Sequence, residues 1–156
     1  MNTPPPVLTE LRLTEEMKQA VDGAFADRRP IVVAYVDENG ALQLSYRGST
    51  QSHSDTALAI WVRNPDGRIL ESIANNPSVA LVYGYFTPDD RGFMFFRGKA
   101  HAATDESVRN QVYEHSHEFE RNQDPERKGA MMIKFRGIGR TSDSVVAGVT
   151  DSGQFR

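Results

Sequence analysis

The architecture of this chain depends on residues 57–86, which read ALAIWVRNPDGRILESIANNPSVALVYGYF. Runs of β-forming residues open and close this stretch, and they enclose the turn sequence Asn-Pro-Asp-Gly and a short amphipathic segment. Ile69 and Ile73 fall on one face of that segment, and Pro77 ends it because proline disfavours helical backbone at the preceding residue. The pattern predicts strand, turn, helix and strand, with Asp66 as the N-cap of the helix.

The start of this predicted helix is a candidate anion-binding site. A helix N-terminus presents free backbone N–H groups and the positive end of the helix dipole. Arg63 and Arg68 flank the turn, and guanidinium groups form strong hydrogen bonds with phosphate. The sequence therefore points to a phosphate at this turn. The alternative is that both arginines are ordinary solvated surface residues.

Composition narrows the class of protein. The 156 residues indicate one domain with a sizeable core. A formal net charge of -3 argues against a general nucleic-acid binder, and no stretch approaches the roughly 18 apolar residues of a membrane span. The absence of cysteine excludes disulfides, thiolate nucleophiles and cysteine-ligated metals. We predict no metal site, and we expect a cytoplasmic protein because the first residues lack a secretory leader.

The order of elements predicts a mainly antiparallel β-barrel with peripheral helices. Helices are expected after Thr14 and Thr104, each followed by two acidic residues, and the polar segment 48–56 is expected to be a loop. We predict strands at residues 31–36, 41–47, 57–63, 78–86, 93–103 and 129–136. The predicted organisation is an N-terminal arm over residues 1–13, a barrel domain over residues 14–140 and a C-terminal tail over residues 141–156.

This order resembles the flavin-binding split barrels of the pyridoxamine 5′-phosphate oxidase superfamily over roughly residues 14–136. In the most specific part, residues 61–77, Asn64, a turn, Arg68 and a short helix ending in Asn-Pro follow the family pattern. Arg-Gly-Lys-Ala at positions 97–100 resembles the family's Gly-Lys-Ala strand. The resemblance implies a six-stranded antiparallel split barrel that binds FMN, in a homodimer whose two subunits share each flavin.

The resemblance also implies the residues of a cofactor site. Arg68 would hold the FMN phosphate with support from Arg63 and Arg47, while other residues would line the flavin. These further candidates are Ser45, Tyr46, Trp61, Val62 and Lys99. A lone tryptophan in a strand is alternatively a core residue. The catalytic residues stay unassigned: the sequence shows no conspicuous triad, thiol or general base, which suits a cofactor such as flavin that performs its own hydride chemistry.

Two departures from the family pattern narrow the function. Ile69 stands where the family has a phosphate-binding lysine, and the family enzyme's C-terminal extension is absent from this sequence. If the lysine is all that the site lacks, Ile69→Lys would tighten FMN binding. The expected protein is a short, general member, an FMN-dependent oxidoreductase acting on an unknown small molecule. The alternatives are a non-catalytic flavin- or haem-binding protein, with His101 as a haem ligand, and an F420-dependent reductase.

Overall fold

A computed structural model describes residues 12–29, 31–89 and 91–133. Most of the predicted N-terminal arm, residues 1–13, and all of the predicted tail, residues 141–156, lie outside the described residues. None of the described helices is both long and apolar enough to cross a membrane.

Eight strands and four helices make up the described part of the chain. In chain order they are α1 (Glu15–Gly23), β1 (Val32–Val36), β2 (Leu42–Tyr46), β3 (Gln51–Ser54), β4 (Ala57–Val62), α2 (Arg68–Asn75), β5 (Ser78–Phe86), β6 (Arg91–Lys99), β7 (His101–Ala103), α3 (Glu106–His115), α4 (Glu118–Asn122) and β8 (Ala130–Ile133). The strands form two four-stranded sheets, sheet A in the order β2-β1-β5-β6 and sheet B in the order β3-β4-β8-β7. Every pair of neighbours is antiparallel.

The predicted fold class, mainly β with peripheral helices, is confirmed, although the described strands number eight rather than six. One extra strand is β3, in a segment that was predicted to be a loop because its polar residues carry no apolar periodicity. The other arises because the predicted strand 93–103 divides at Ala100, where the chain passes from sheet A to sheet B. The buried Ala100 donates its N–H to the carbonyl of Pro77 at 2.8 Å, which fixes this crossing.

Strand β4 lies between two layers and is buried along its whole length. Because successive side chains of a strand point to opposite faces, its residues divide between two hydrophobic clusters. Leu58, Ile60 and Val62 join the main core with α2 and the inner face of sheet A. Ala59 and Trp61 pack instead against Val112 and Tyr113 of α3.

The helix starts differ from the sequence prediction by one residue in two cases. Thr14 caps α1 as predicted, since its hydroxyl accepts the N–H of Met17 at 3.2 Å. Helix α3 is capped by Asp105 rather than Thr104, because the Asp105 carboxylate accepts the N–H of Val108 at 3.0 Å. Helix α2 begins after Gly67 rather than Asp66, and no side chain caps it.

A buried carboxylate ties the loop before β8 to strand β4. The side chain of Asp124 accepts hydrogen bonds from Trp61 Nε1 at 3.0 Å and from the backbone N–H groups of Lys128 at 2.9 Å and Gly129 at 2.8 Å. Burial by itself raises the pKa of Asp124, but the hydrogen bonds from Gly129, Lys128 and Trp61 outweigh it and hold the pKa below the ordinary value. The ionised form is therefore the one that stabilises this loop.

We expect Asp124→Ala to lower the free energy of unfolding by about 2–3 kcal/mol at pH 7, because it leaves buried N–H groups without acceptors. The folded-state pKa is depressed, so the contribution is fully present above the unfolded-state pKa of about 4 and is lost as pH falls through the folded-state value. Urea unfolding followed by circular dichroism should show the difference narrowing toward acid pH. Glu126→Ala, an exposed change in the same loop, should have little effect, and a pH-independent difference would contradict this account.

Candidate functional site

The three predicted phosphate-binding residues, Arg47, Arg63 and Arg68, line one cavity. The cavity has a volume of about 350 Å³ and lies where the ends of β2 and β4 meet the start of α2. We call it the arginine cleft. It is lined by Tyr35, Arg47, Val62, Arg63, Asn64, Gly67, Arg68, Ile69 and Gln123.

The turn between β4 and α2 brings an uncapped helix start to this cleft. The carbonyl oxygen of Asn64 accepts the N–H of Gly67 at 3.0 Å, and its side-chain oxygen accepts the N–H of Asp66 at 3.1 Å. A Cβ at position 67 would lie 3.0 Å from that carbonyl oxygen, so the tight turn favours glycine. Gly67 occupies the N-cap position of α2 and has no side chain, so no side chain accepts the first N–H groups of the helix. Gly67, Arg68 and Ile69, which form this helix start, all line the cleft.

Arg47 is the least exposed cation of the cleft, and its surroundings favour an anion. Burial lowers the pKa of Arg47 most, the neighbouring charge of Arg63 lowers it further, and the Tyr35 and Glu120 side chains act in the opposite direction. Its Nε donates a hydrogen bond to Ser45 Oγ at 3.1 Å, which orients the guanidinium. A desolvated cation next to a second cation is stabilised by an added negative charge, so the donors present fit a phosphate group.

The structure separates three other predicted residues from this cleft. Trp61 lies on the opposite side of β4 from Val62, and its buried indole bonds Asp124, as expected of a core residue. Tyr46 is 71% exposed on the outer face of sheet A, because it alternates with Ser45 along β2. Lys99 lines a different groove of about 440 Å³. The side chains brought together are therefore Arg47, Val62, Arg63 and Arg68, with Ser45 beside Arg47.

Sequence reasoning missed three side chains at or beside the cleft. Gln123 lines the cleft, and Glu120 lies against Arg63. Glu120 belongs to α4 and Gln123 directly follows that helix, some 60 residues after the turn that carries Arg63. No local pattern links that charged segment to the turn after β4. Tyr35 also lines the cleft, and its inward position follows from the strand alternation of β1.

No protein-family model matches the chain. A curated pyridoxine/pyridoxamine 5′-phosphate oxidase from Serratia proteamaculans is 34% identical to it over 84 residues, which make up 54% of this chain and 37% of that relative. The chain thus matches little more than a third of the length of this curated relative.

Solved structures of the same fold cover much more of the chain. HupZ of Group A Streptococcus has a TM-score of 0.60 at 17% identity, covering 90% of this chain and 97% of that one. A Lactobacillus delbrueckii protein provisionally described as a pyridoxamine 5′-phosphate oxidase has a TM-score of 0.56 at 20% identity, with 83% and 96% covered. An FMN-binding protein from Syntrophomonas wolfei has a TM-score of 0.54 at 10% identity, with 77% and 82% covered. At these identities the likeness concerns the fold, and at that level it confirms the resemblance to split-barrel proteins.

Ile69, for which the sequence resemblance implies a lysine in the family, is a core residue that also borders the cleft. Its side chain is 3% exposed and packs in the main hydrophobic cluster. A lysine here would have to bury its ammonium group or leave the core. The structure therefore makes loss of stability, rather than tighter phosphate binding, the first effect of Ile69→Lys.

We expect Ile69→Lys to lower the free energy of unfolding by about 2–4 kcal/mol, because it removes packed methyl groups and introduces a charge into the core. Ile69→Met, which keeps the volume and the apolar character, should cost less than about 1.5 kcal/mol. Urea unfolding of both variants measures the difference. A lysine variant as stable as the methionine variant would show that the side chain at position 69 reaches the cleft freely.

Proposed function

We propose that this chain, which has the split-barrel fold of the pyridoxamine 5′-phosphate oxidase-like proteins, is an FMN-binding oxidoreductase that acts on a small molecule. The observation that carries the proposal is the convergence of Arg47, Arg63 and Arg68 with the uncapped start of α2 in one cleft. This combination of cations and helix N–H groups suits a phosphate monoester such as that of FMN.

In this proposal the residues of the cleft have distinct roles. Arg68, in the first turn of α2, acts with the free N–H groups of the helix on the phosphate. Arg47 is held by Ser45 and contributes a second, desolvated guanidinium, while Val62 forms an apolar wall. A bound flavin would supply the hydride-transfer chemistry, and the protein would supply binding and orientation. F420 and haem are the alternative cofactors, and the absorbance spectrum of the purified protein distinguishes them from FMN.

The size of the cleft supports a site completed by a second subunit. Its volume of about 350 Å³ is at the lower end of the range for small-molecule pockets, roughly 300–1,000 Å³. The cleft therefore suits the phosphate end of FMN, with another surface covering the flavin ring. Tyr46 and Lys99 lie away from the cleft of their own chain, so in a homodimer they are candidates to face the partner's cofactor.

The outer face of sheet A is the surface on which we place the second copy. Leu42, Leu44 and Tyr46 of β2 are 78%, 71% and 71% exposed, and they share one face of the strand. The register sets Leu44 opposite Ala34 of β1, so apolar residues continue across the sheet. A contiguous exposed apolar face of this kind marks an interaction surface. The resemblance to proteins in which two subunits share each flavin makes a second copy of this chain the expected occupant.

We expect Arg68→Ala to weaken FMN binding about 10- to 100-fold, because the variant loses a charge-assisted contact worth roughly 1.5–3 kcal/mol. Riboflavin lacks the phosphate, so its affinity should barely change. Fluorescence titration with both ligands measures the two affinities.

The control for Arg68→Ala is Lys128→Ala, which removes one positive charge from a side chain that is 75% exposed and lines none of the cavities described above. A distant exposed charge is largely screened at physiological salt, so FMN affinity should be unchanged in this variant. Equal losses for FMN and riboflavin in Arg68→Ala, or equal effects of the two substitutions, would show that Arg68 does not hold the phosphate.

We expect Leu44→Lys to convert the homodimer into a monomer at micromolar concentration, because it places a charge in the middle of the apolar face of β2. The fold should be retained, since Leu44 is exposed in the isolated chain. Size-exclusion chromatography with light scattering measures the mass. Asn75→Lys, an exposed change on α2, should leave the dimer intact. A wild-type protein that is already monomeric would contradict the shared site.

A further inference from the structure

We propose that Glu120 is an internal counter-ion of the arginine cleft, which competes with a bound phosphate for Arg63 and thereby limits the affinity of the site for anions. The proposal deepens the function proposed above and rests on it, because it concerns the same cleft and the same phosphate-bearing ligand. It adds a residue of α4 that sets how strongly the cleft binds.

The position of Glu120 is that of a shielded carboxylate beside two cations. Its Oε2 lies 4.0 Å from Arg63 Nε, and its side chain is only 12% exposed, compared with 51% for Arg63. Its negative charge also acts on Arg47, where it opposes the effect of burial on the pKa of the guanidinium. A carboxylate that has lost most of its water needs a nearby positive charge, and the cleft provides two.

Local structure holds Glu120 in this place. His117 is the N-cap of α4: its Nδ1 accepts the N–H of Phe119 at 3.1 Å, and its carbonyl accepts the N–H of Glu120 at 2.8 Å. The residue after Arg47 is Gly48, and a Cβ added there would lie 2.5 Å from Glu120 Oε1. The lack of a side chain at position 48 therefore gives the carboxylate room beside the backbone that carries Arg47.

The contact between Glu120 and Arg63 is one that a ligand can replace. At 4.0 Å it is longer than a hydrogen bond, which spans about 2.7–3.2 Å, so the attraction is electrostatic and lacks the directional bond of a paired salt bridge. A phosphate bound to the same guanidinium would lie close to this carboxylate, and like charges at short range repel. A phosphate therefore binds only if Glu120 moves away from Arg63 or if the repulsion between the two negative charges lowers the affinity.

Asp37 is not available as a counter-ion of the cleft, although the charge of Arg68 lowers its pKa. Its carboxylate accepts the N–H groups of Asn39 and Ala41 and the side-chain amide of Gln43, all within the β1–β2 hairpin. The hydrogen bond from Gln43 is the largest cause that lowers the pKa of Asp37, and the charge of Arg68 is the smallest. The Asp37 carboxylate is therefore bound within its own turn, whereas among the described residues the Glu120 carboxylate accepts no comparable hydrogen bond.

The test is Glu120→Gln, which removes the charge and keeps the shape of the side chain. Fluorescence titration of the full chain with FMN at about 0.15 M salt should show binding about three- to tenfold tighter than in the wild type, with riboflavin affinity unchanged. Glu118→Gln is the matched control, since it removes the same charge from an exposed position on the same helix. It should leave both affinities unchanged, and circular dichroism verifies that both variants are folded.

Three results would overturn the proposal. Unchanged FMN affinity in Glu120→Gln means that the carboxylate does not compete, and weaker FMN affinity means that it positions Arg63 for the ligand instead. An equal gain for FMN and riboflavin means that the effect does not act on the phosphate. A different result tests the proposed function: a wild-type protein that binds FMN no more tightly than riboflavin would contradict a phosphate site. The counter-ion proposal is judged by the ratio of Glu120→Gln to wild-type affinity for FMN, compared with the same ratio for riboflavin. An FMN ratio of one, or equal ratios for the two ligands, overturns it.

Discussion

The structure depends on the burial of β4 on both of its faces. Alternate residues of Ala57–Val62 enter two different hydrophobic clusters, one shared with sheet A and one with α3. A slip of the strand by one residue would move the side chains of each cluster into the other, so the register is fixed. The turn that follows β4 is fixed by this register. Because the turn is fixed, Arg63 and the start of α2 reach the same place as the end of β2, and the cleft between them is preorganised.

The electrostatics of the cleft follow from packing as much as from the arginines themselves. Arg47 is partly withdrawn from water by its neighbours, which makes its charge harder to maintain and more responsive to an anion. The Glu120 carboxylate of α4 places a negative charge near Arg63 and Arg47, and as positioned it leaves no room for a Cβ at position 48, which is a glycine. In the proposed site, the affinity for a phosphate would be a balance between attraction to three cations and competition with one carboxylate.

Local sequence patterns predicted the helices and strands around this site. Strand β3 and the side-chain contacts between distant segments depend instead on long-range packing. The strand–turn–helix–strand order of residues 57–86 and the cap at Thr14 follow from periodicity and turn chemistry alone, and the fold class follows from their order. β3 was not predictable, since its polar residues are held by pairing with β4. The place of Trp61 depends on Asp124, which is 63 residues away, and the role proposed for Glu120 depends on a helix that lies similarly far from Arg63 in sequence.

A crystal structure of the protein with FMN tests the proposed cofactor site. The account predicts phosphate oxygens at hydrogen-bonding distance, about 2.7–3.2 Å, from the Arg68 guanidinium and the first backbone N–H groups of α2. The flavin ring should extend from the cleft toward a second copy of the chain. A phosphate bound elsewhere, for example in the groove of about 440 Å³ that Lys99 lines, would contradict the account.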